Sequence, residues 1–147
     1  MDPRYLQLGP GQQPPSLEAK PYRLIIVADE EVPDEWRNRV ANWIWSIGAR
    51  YVIAWGCSCE AWHDSVDWAN LEAFDFGKVP DKDYIMTTWH DKEPLSEAFW
   101  FAGFCADHPD LELSETIILH ISDVSRREEV LAQYFASQVE QVEQSAK

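Results

Sequence analysis

The sequence predicts an α/β fold: a small doubly wound, mainly parallel four-stranded sheet with helices on both faces. Three observations predict it. Apolar runs of strand length recur at residues 24–28, 51–55, 84–89 and 116–121. Each is followed by a segment whose apolar residues repeat with helical spacing. The runs are continuous rather than alternating, as expected of parallel strands covered on both faces. Right-handed crossovers leave few topologies, and an order of 2-1-3-4 for these strands is expected.

Residues 1–21 carry Pro3, Pro10, Pro14, Pro15 and Pro21 with Gly9 and Gly11, and no apolar period. They read as a disordered or extended proline-rich leader, with residues 22–147 forming a single α/β domain that ends in a polar helix tail. Leu24 to Ala28 is the first strand. Pro33 and Asp34 open the first helix, with Asp34 as its N-cap. Trp36, Val40, Trp43, Ile44 and Ile47 line one face, and Gly48 suits the C′ position that ends it. Tyr51 to Trp55 is the second strand, stopped by Gly56. A helix follows from about Cys59 to Phe74, with Trp62, Val66, Ala69 and Ala73 as its stripe. Tyr84 to Trp89 is the third strand. Pro94 fits the first turn of the next helix, which runs to about Ala106 and is apolar nearly all round. Such a helix lies in a large core or under a partner. Thr116 to Ile121 is the fourth strand. Ser125 and Glu128 then read as a capping box for the last helix.

The chain has 147 residues, enough for one domain without staples. Its three cysteines are an odd number, which indicates a reducing compartment and a cytoplasmic protein. No run approaches the ~18 apolar residues of a membrane span, and no secretory signal follows Met1. The net charge of −14 argues against direct nucleic-acid binding and against anionic lipid. It suits either simple solubility or an acidic face that docks on a basic partner. Eight tryptophans exceed what a small sheet hides easily, so most are expected in the core and one or two at a surface.

In open α/β sheets ligands bind beyond the carboxyl ends of the strands. That rim is expected to carry Asp29, Glu30 and Glu31, then Cys57, Ser58 and Cys59 with His63 and Asp64. His90 and Asp91, then Ser122 and Asp123, complete it. Loops and helix N-caps are polar in any case. Cys57, Cys59 and His63 could hold zinc with His90 or Asp91, although C-x-C is not the usual ligand spacing. The segment from Trp55 to Cys59 resembles the placement of a thioredoxin-type dithiol, with one residue too few between the cysteines. Asp29, His63, His90 and Asp91 could support acid–base hydrolysis, yet no nucleophile elbow, metalloprotease motif or phosphate loop is present. His120 reads as a hydrogen-bonded core histidine. His120-Ile121-Ser122 resembles the H-x-[ST] motif of two-histidine phosphoesterases, which need two copies where this chain has one. His108 reads as a helix-end residue facing terminal carbonyls.

The leading expectation is a non-catalytic, acidic, Trp-rich module that binds another protein whose surface is basic or apolar, as inhibitor, immunity and adaptor proteins do. Glu30, Glu31, Trp100, Phe101 and Phe104 are its expected contacts. No cofactor is required, with zinc as the exception. The alternative is a small hydrolase or ligand-binding domain that uses the His/Asp/Cys rim.

Overall fold

The computed structural model describes residues 2–145. Its strands are β1 (Arg4–Leu8), β2 (Tyr22–Ala28), β3 (Tyr51–Gly56), β4 (Met86–His90) and β5 (Glu115–Ile121). Its helices are α1 (Asp34–Ser46), α2 (Cys59–Glu72), α3 (Leu95–Phe104) and α4 (Arg127–Ser145), with a 3-10 turn at Asp81–Asp83. The sheet is wholly parallel, in the order β1-β5-β2-β3-β4. The doubly wound α/β class is as expected. No helix among the described residues is long and apolar enough to cross a membrane.

Side-chain alternation along each strand divides the core in two. Leu24, Ile26, Val52, Ala54, Ile117 and Leu119 pack against Trp36, Val40 and Ile44 of α1 and Trp62 and Val66 of α2. Ile25, Val27, Ile53 and Ile118 point to the other face, under Phe99 and Ala102 of α3 and Val130 of α4. Both faces of the central strands are dry, which is why their sequences read as unbroken apolar runs.

Two expectations are corrected. In the numbering of the four expected strands, the order is 4-1-2-3 rather than 2-1-3-4. From β2 the chain steps one way through β3 and β4, with α1 and α2 on one face. It then reverses through α3 on the opposite face and lays β5 on the far side of β2. Handedness constrains each crossover but not the direction of successive steps, so the order was open.

The second correction concerns the leader, which is extended rather than disordered and lies inside the domain, where it supplies a fifth strand. Arg4–Leu8 pairs in parallel with β5, placing Tyr5 opposite Ile118 and Gln7 opposite His120. Leu8 enters the α1/α2 core and Tyr5 the α3/α4 core. Pro3 and Pro10 flank the strand, as an edge position tolerates. The rest of the leader is tied across α1. The Trp36 indole donates to the Gln12 carbonyl at 2.9 Å and the Trp43 indole to the Pro15 carbonyl at 2.8 Å. Lys20 N–H donates to the Ile47 carbonyl, and Lys20 Nζ pairs with Glu115 at 2.8 Å.

Part of the tryptophan excess is thereby explained: two indoles of α1 hold the leader down. Trp36 and Trp62 are buried, Trp43, Trp45, Trp55 and Trp100 are half-buried, and Trp68 and Trp89 are exposed. Two at the surface and most in or against the two cores is the expected distribution, with Trp43, Trp45 and Trp55 packed at the core edges rather than fully buried.

Helix ends fall close to expectation, with local differences. Gly48 takes φ +91° and donates to the Trp45 carbonyl beyond the C-cap Ile47, as the C′ position requires. Asp34 is the first helical residue rather than the N-cap, which is Pro33, and pairs with Arg37 at 3.0 Å. Pro94 stands at the N-cap of α3. Because α4 begins at Arg127, Ser125 and Glu128 do not occupy the capping-box positions. β4 begins two residues later than read. Ile85 N–H is taken by the Asn70 side chain at 2.9 Å, and Asn70 Nδ2 donates to the Asp83 carbonyl.

Candidate functional site at the strand carboxyl ends

Neighbours β2 and β5 send their chains to opposite faces, β2 into α1 and β5 into α4. A crevice therefore opens between the loops that follow them, the switch point where doubly wound sheets bind ligands. A cavity of about 170 Å³ lies there, on the α3/α4 side. Its walls are Val27, Trp55, Leu95 and Val130, with Asp29, Arg126, Glu129 and Gln133 as the polar groups and His120 behind.

Four chain segments meet in one hydrogen-bond network at this point. Arg126 N–H donates to Tyr5 Oη at 3.0 Å. The Tyr5 hydroxyl lies 2.6 Å from His120 Nδ1, and His120 Nε2 lies 2.6 Å from Asp29 Oδ2. Tyr5 accepts from Arg126, so its own proton goes to Nδ1. His120 then carries its proton on Nε2 and donates it to the carboxylate; this assignment follows from the network. The Arg126 guanidinium also donates to Asp29 Oδ2.

His120 is fully buried, whereas the Asp29 side chain keeps about a quarter of its surface in solvent. The order is thus Tyr5, His120, Asp29, then the cavity. Each inner group fixes the next, and the outermost is a carboxylate held by charge-assisted bonds.

The flanking loops are ordered by the other rim residues. Asp29 N–H donates to the Ile121 carbonyl at 3.1 Å. Glu30 accepts from Asp123 N–H at 2.6 Å, and Glu31 from the Ser58 hydroxyl at 2.6 Å. These two glutamates, expected as partner contacts, are engaged in joining the β2, β3 and β5 loops. At the end of β3, Gly56 has φ +102° and Ser58 φ 53°. This turn brings Cys57 N–H within 2.8 Å of the Ala28 carbonyl.

The expected catalytic set does not converge. Asp29 lies at the switch point. His90 points to the same sheet face but sits beyond Val27 and Trp55 in the register row, three strand spacings or roughly 14 Å from His120. There it bonds Glu93 at 2.9 Å and Thr88 at 3.2 Å and packs on Phe101. His63 is on the opposite face, between Asp64 at 3.0 Å and Asp67 at 3.3 Å, with its ring 4.5 Å from Trp89. Asp91 is exposed. His108 does not face helix-end carbonyls. Its Nε2 donates to the Tyr84 carbonyl, and Nδ1 accepts from Asp110 N–H.

Nor do Cys57, Cys59 and His63 form a zinc site. Among the described residues, no group of three or more His, Cys, Asp or Glu side chains is placed to hold a metal ion. The dithiol expectation fails on electrostatics. Burial raises the Cys57 pKa, and Glu31 and Asp29 raise it further. Burial also raises that of Cys59, with Asp91 adding to it. Reactive thiols need electropositive surroundings, and these have the reverse. At mildly alkaline pH, iodoacetamide is expected to label exposed Cys105 first and buried Cys59 only on unfolding, as peptide mass mapping would show. Cys59 labelled as fast as Cys105 would contradict this placement.

On α3, Phe101 packs against Tyr51 and His90, so it is not a free contact. Trp100 and Phe104 stack on the outer side with ring centroids 5.8 Å apart. Tyr5 and Arg126 were missed as site residues, and His120 was read as a core histidine, beside its H-x-[ST] resemblance, but not as part of the rim. The available signal was the rule that a buried histidine needs partners on both nitrogens. Asp29, one strand away, was a natural one.

Fold and site together define the class: a doubly wound α/β domain with a Tyr–His–Asp hydrogen-bond chain that runs from the core to a switch-point cavity. The chain belongs to the family described as Domain of unknown function (DUF7684), whose family model matches residues 3–137. The match includes β1. No curated protein and no solved structure matches the chain.

Proposed function

We propose that this chain is a ligand-binding domain whose cavity takes a small molecule bearing a cationic hydrogen-bond donor, an amine or guanidine, against Asp29. One observation carries the reading: a carboxylate fixed by a buried histidine and an arginine stands at a cavity of mixed apolar and polar lining at the switch point. Glu129 adds a second carboxylate to the wall, and Trp55 an aromatic one. His120 and Tyr5 are buried. The group offered to a ligand is therefore a carboxylate rather than an imidazole, which favours binding over hydrolysis.

The test is an NMR titration with n-butylammonium, guanidinium and, as the opposite charge, butyrate. The two cations are expected to shift Asp29, Trp55 and Val130. Asp29→Asn is expected to weaken them about tenfold or more, the size of one charge-assisted hydrogen bond. Selective binding of butyrate, or cation shifts unaffected by Asp29→Asn, would overturn the reading.

A further inference from the structure

Residues 68–77 of α2 and the turn after it run Trp-Ala-Asn-Leu-Glu-Ala-Phe-Asp-Phe-Gly. The first phenylalanine, Phe74, turns inward onto Trp45, with ring centroids 5.5 Å apart. The second does not. Phe76 is 53% exposed beside Trp68, itself 60% exposed, with ring centroids 4.9 Å apart and Leu71 also in solvent.

The backbone sets this arrangement. Asp75 has φ 50° and Phe76 φ 60°, two consecutive non-glycine residues in the left-handed region. Phe76 N–H reaches back to the Leu71 carbonyl at 2.9 Å. A bulky side chain is disfavoured there, where glycine fits freely. Strain and exposure both work against the isolated fold, and such combinations mark binding surfaces.

Charge identifies the occupant. Asp64 and Glu72 stand four residues before and after Trp68 on the helix, and Asp75 precedes Phe76. All three are exposed, and Lys78 is the cation that follows. Arg37, on the rim of a shallow hollow of about 290 Å³ beside Trp68, is already held by Asp34 and Ser65. A second copy of the chain would bring like faces together at −14 each. Phosphate backbones and anionic lipid are repelled.

We propose that the outer face of α2 and its following turn dock a protein segment in which lysine or arginine flanks an aromatic or aliphatic side chain. The surface lies on the opposite side of the sheet from the Asp29 cavity, so either reading can fail alone.

The experiment is a fluorescence-anisotropy titration of the full chain into short labelled peptides. One alternates lysine with leucine and tryptophan, one replaces lysine by glutamate, and one replaces the apolar residues by serine. The first is expected to bind, more weakly as salt rises. Trp68→Ala and Phe76→Gly are each expected to weaken it about tenfold, a hot-spot effect. Phe76→Gly is also expected to raise the melting temperature by relieving the left-handed strain, which separates loss of the surface from loss of the fold. No binding of the first peptide would overturn the proposal, as would equal binding by both variants or equal binding of the glutamate peptide. Sedimentation showing a dimer that Trp68→Ala dissolves would overturn it in favour of self-association.

Discussion

Replacing Gly56 with alanine is expected to cost about 3 kcal/mol or more in urea unfolding. Two costs combine. Gly56 has φ +102°, a conformation that L side chains rarely adopt. A Cβ there would stand 2.1 Å from the Ala28 carbonyl oxygen, 3.0 Å from its carbon and 3.2 Å from its nitrogen. These are backbone atoms of β2, near the middle of the sheet, and cannot rotate away as a surface side chain would. The turn must lift, which breaks the 2.8 Å bond from Cys57 N–H to that same carbonyl. Ala28 directly precedes Asp29, so binding of n-butylammonium is expected to weaken along with stability. A Gly56→Ala protein with wild-type unfolding would show that the turn is not packed this closely.

The second large effect is expected at His120. Alanine there removes the imidazole that links Tyr5 to Asp29, leaves the Tyr5 hydroxyl proton without its acceptor and opens a void beneath Asp29. Lost hydrogen bonds and the cavity together put the cost at about 3–4 kcal/mol. At this chain length that is roughly 10 °C in melting temperature. Tyr5→Phe keeps the ring and removes both bonds of the hydroxyl, to His120 and from Arg126 N–H, for about 2 kcal/mol. The double variant discriminates. If the relay is one unit, adding Tyr5→Phe to His120→Ala costs much less than it does alone. Strict additivity would mean that the hydroxyl and the imidazole stabilise the domain independently.

The β/α alternation was legible because it rests on burial. Ile25 and Ile26 face opposite cores, and a residue pair of that kind reads the same in sequence whichever face each takes. Gly48 and Gly56 were legible for a related reason, since a left-handed or crowded backbone position admits little else. What escaped had no local signature. Tyr5 lies in a five-residue stretch flanked by proline, with too few apolar residues to stand out, and it joins the sheet only because β5 offers an open edge. The expected cluster of Asp29, His63, His90 and Asp91 failed on two quantities that sequence does not carry. One is strand order, which sets His90 far along the row from Asp29. The other is the pairing of side chain with face, which puts His63 behind the sheet. Trp68 and Phe76 were hidden by a general tendency: an aromatic residue near a helix end is ordinarily packed, and the left-handed turn that exposes Phe76 is visible only in the backbone angles.

The place of β1 has a consequence for how the molecule is assembled. It precedes the other described strands, yet its sheet partners lie 113 residues later and the ring it bonds 115. On a ribosome it must wait, unpaired, until β5 has emerged, while β2, β3 and β4 can already associate. The same geometry makes it separable. Cleaved in the tract beyond Leu8, the strand would remain seated by its ladder and its tyrosine. A synthetic peptide carrying Arg4–Leu8 should then restore a shortened domain by inserting along β5, a natural point for splitting the molecule into two complementing pieces.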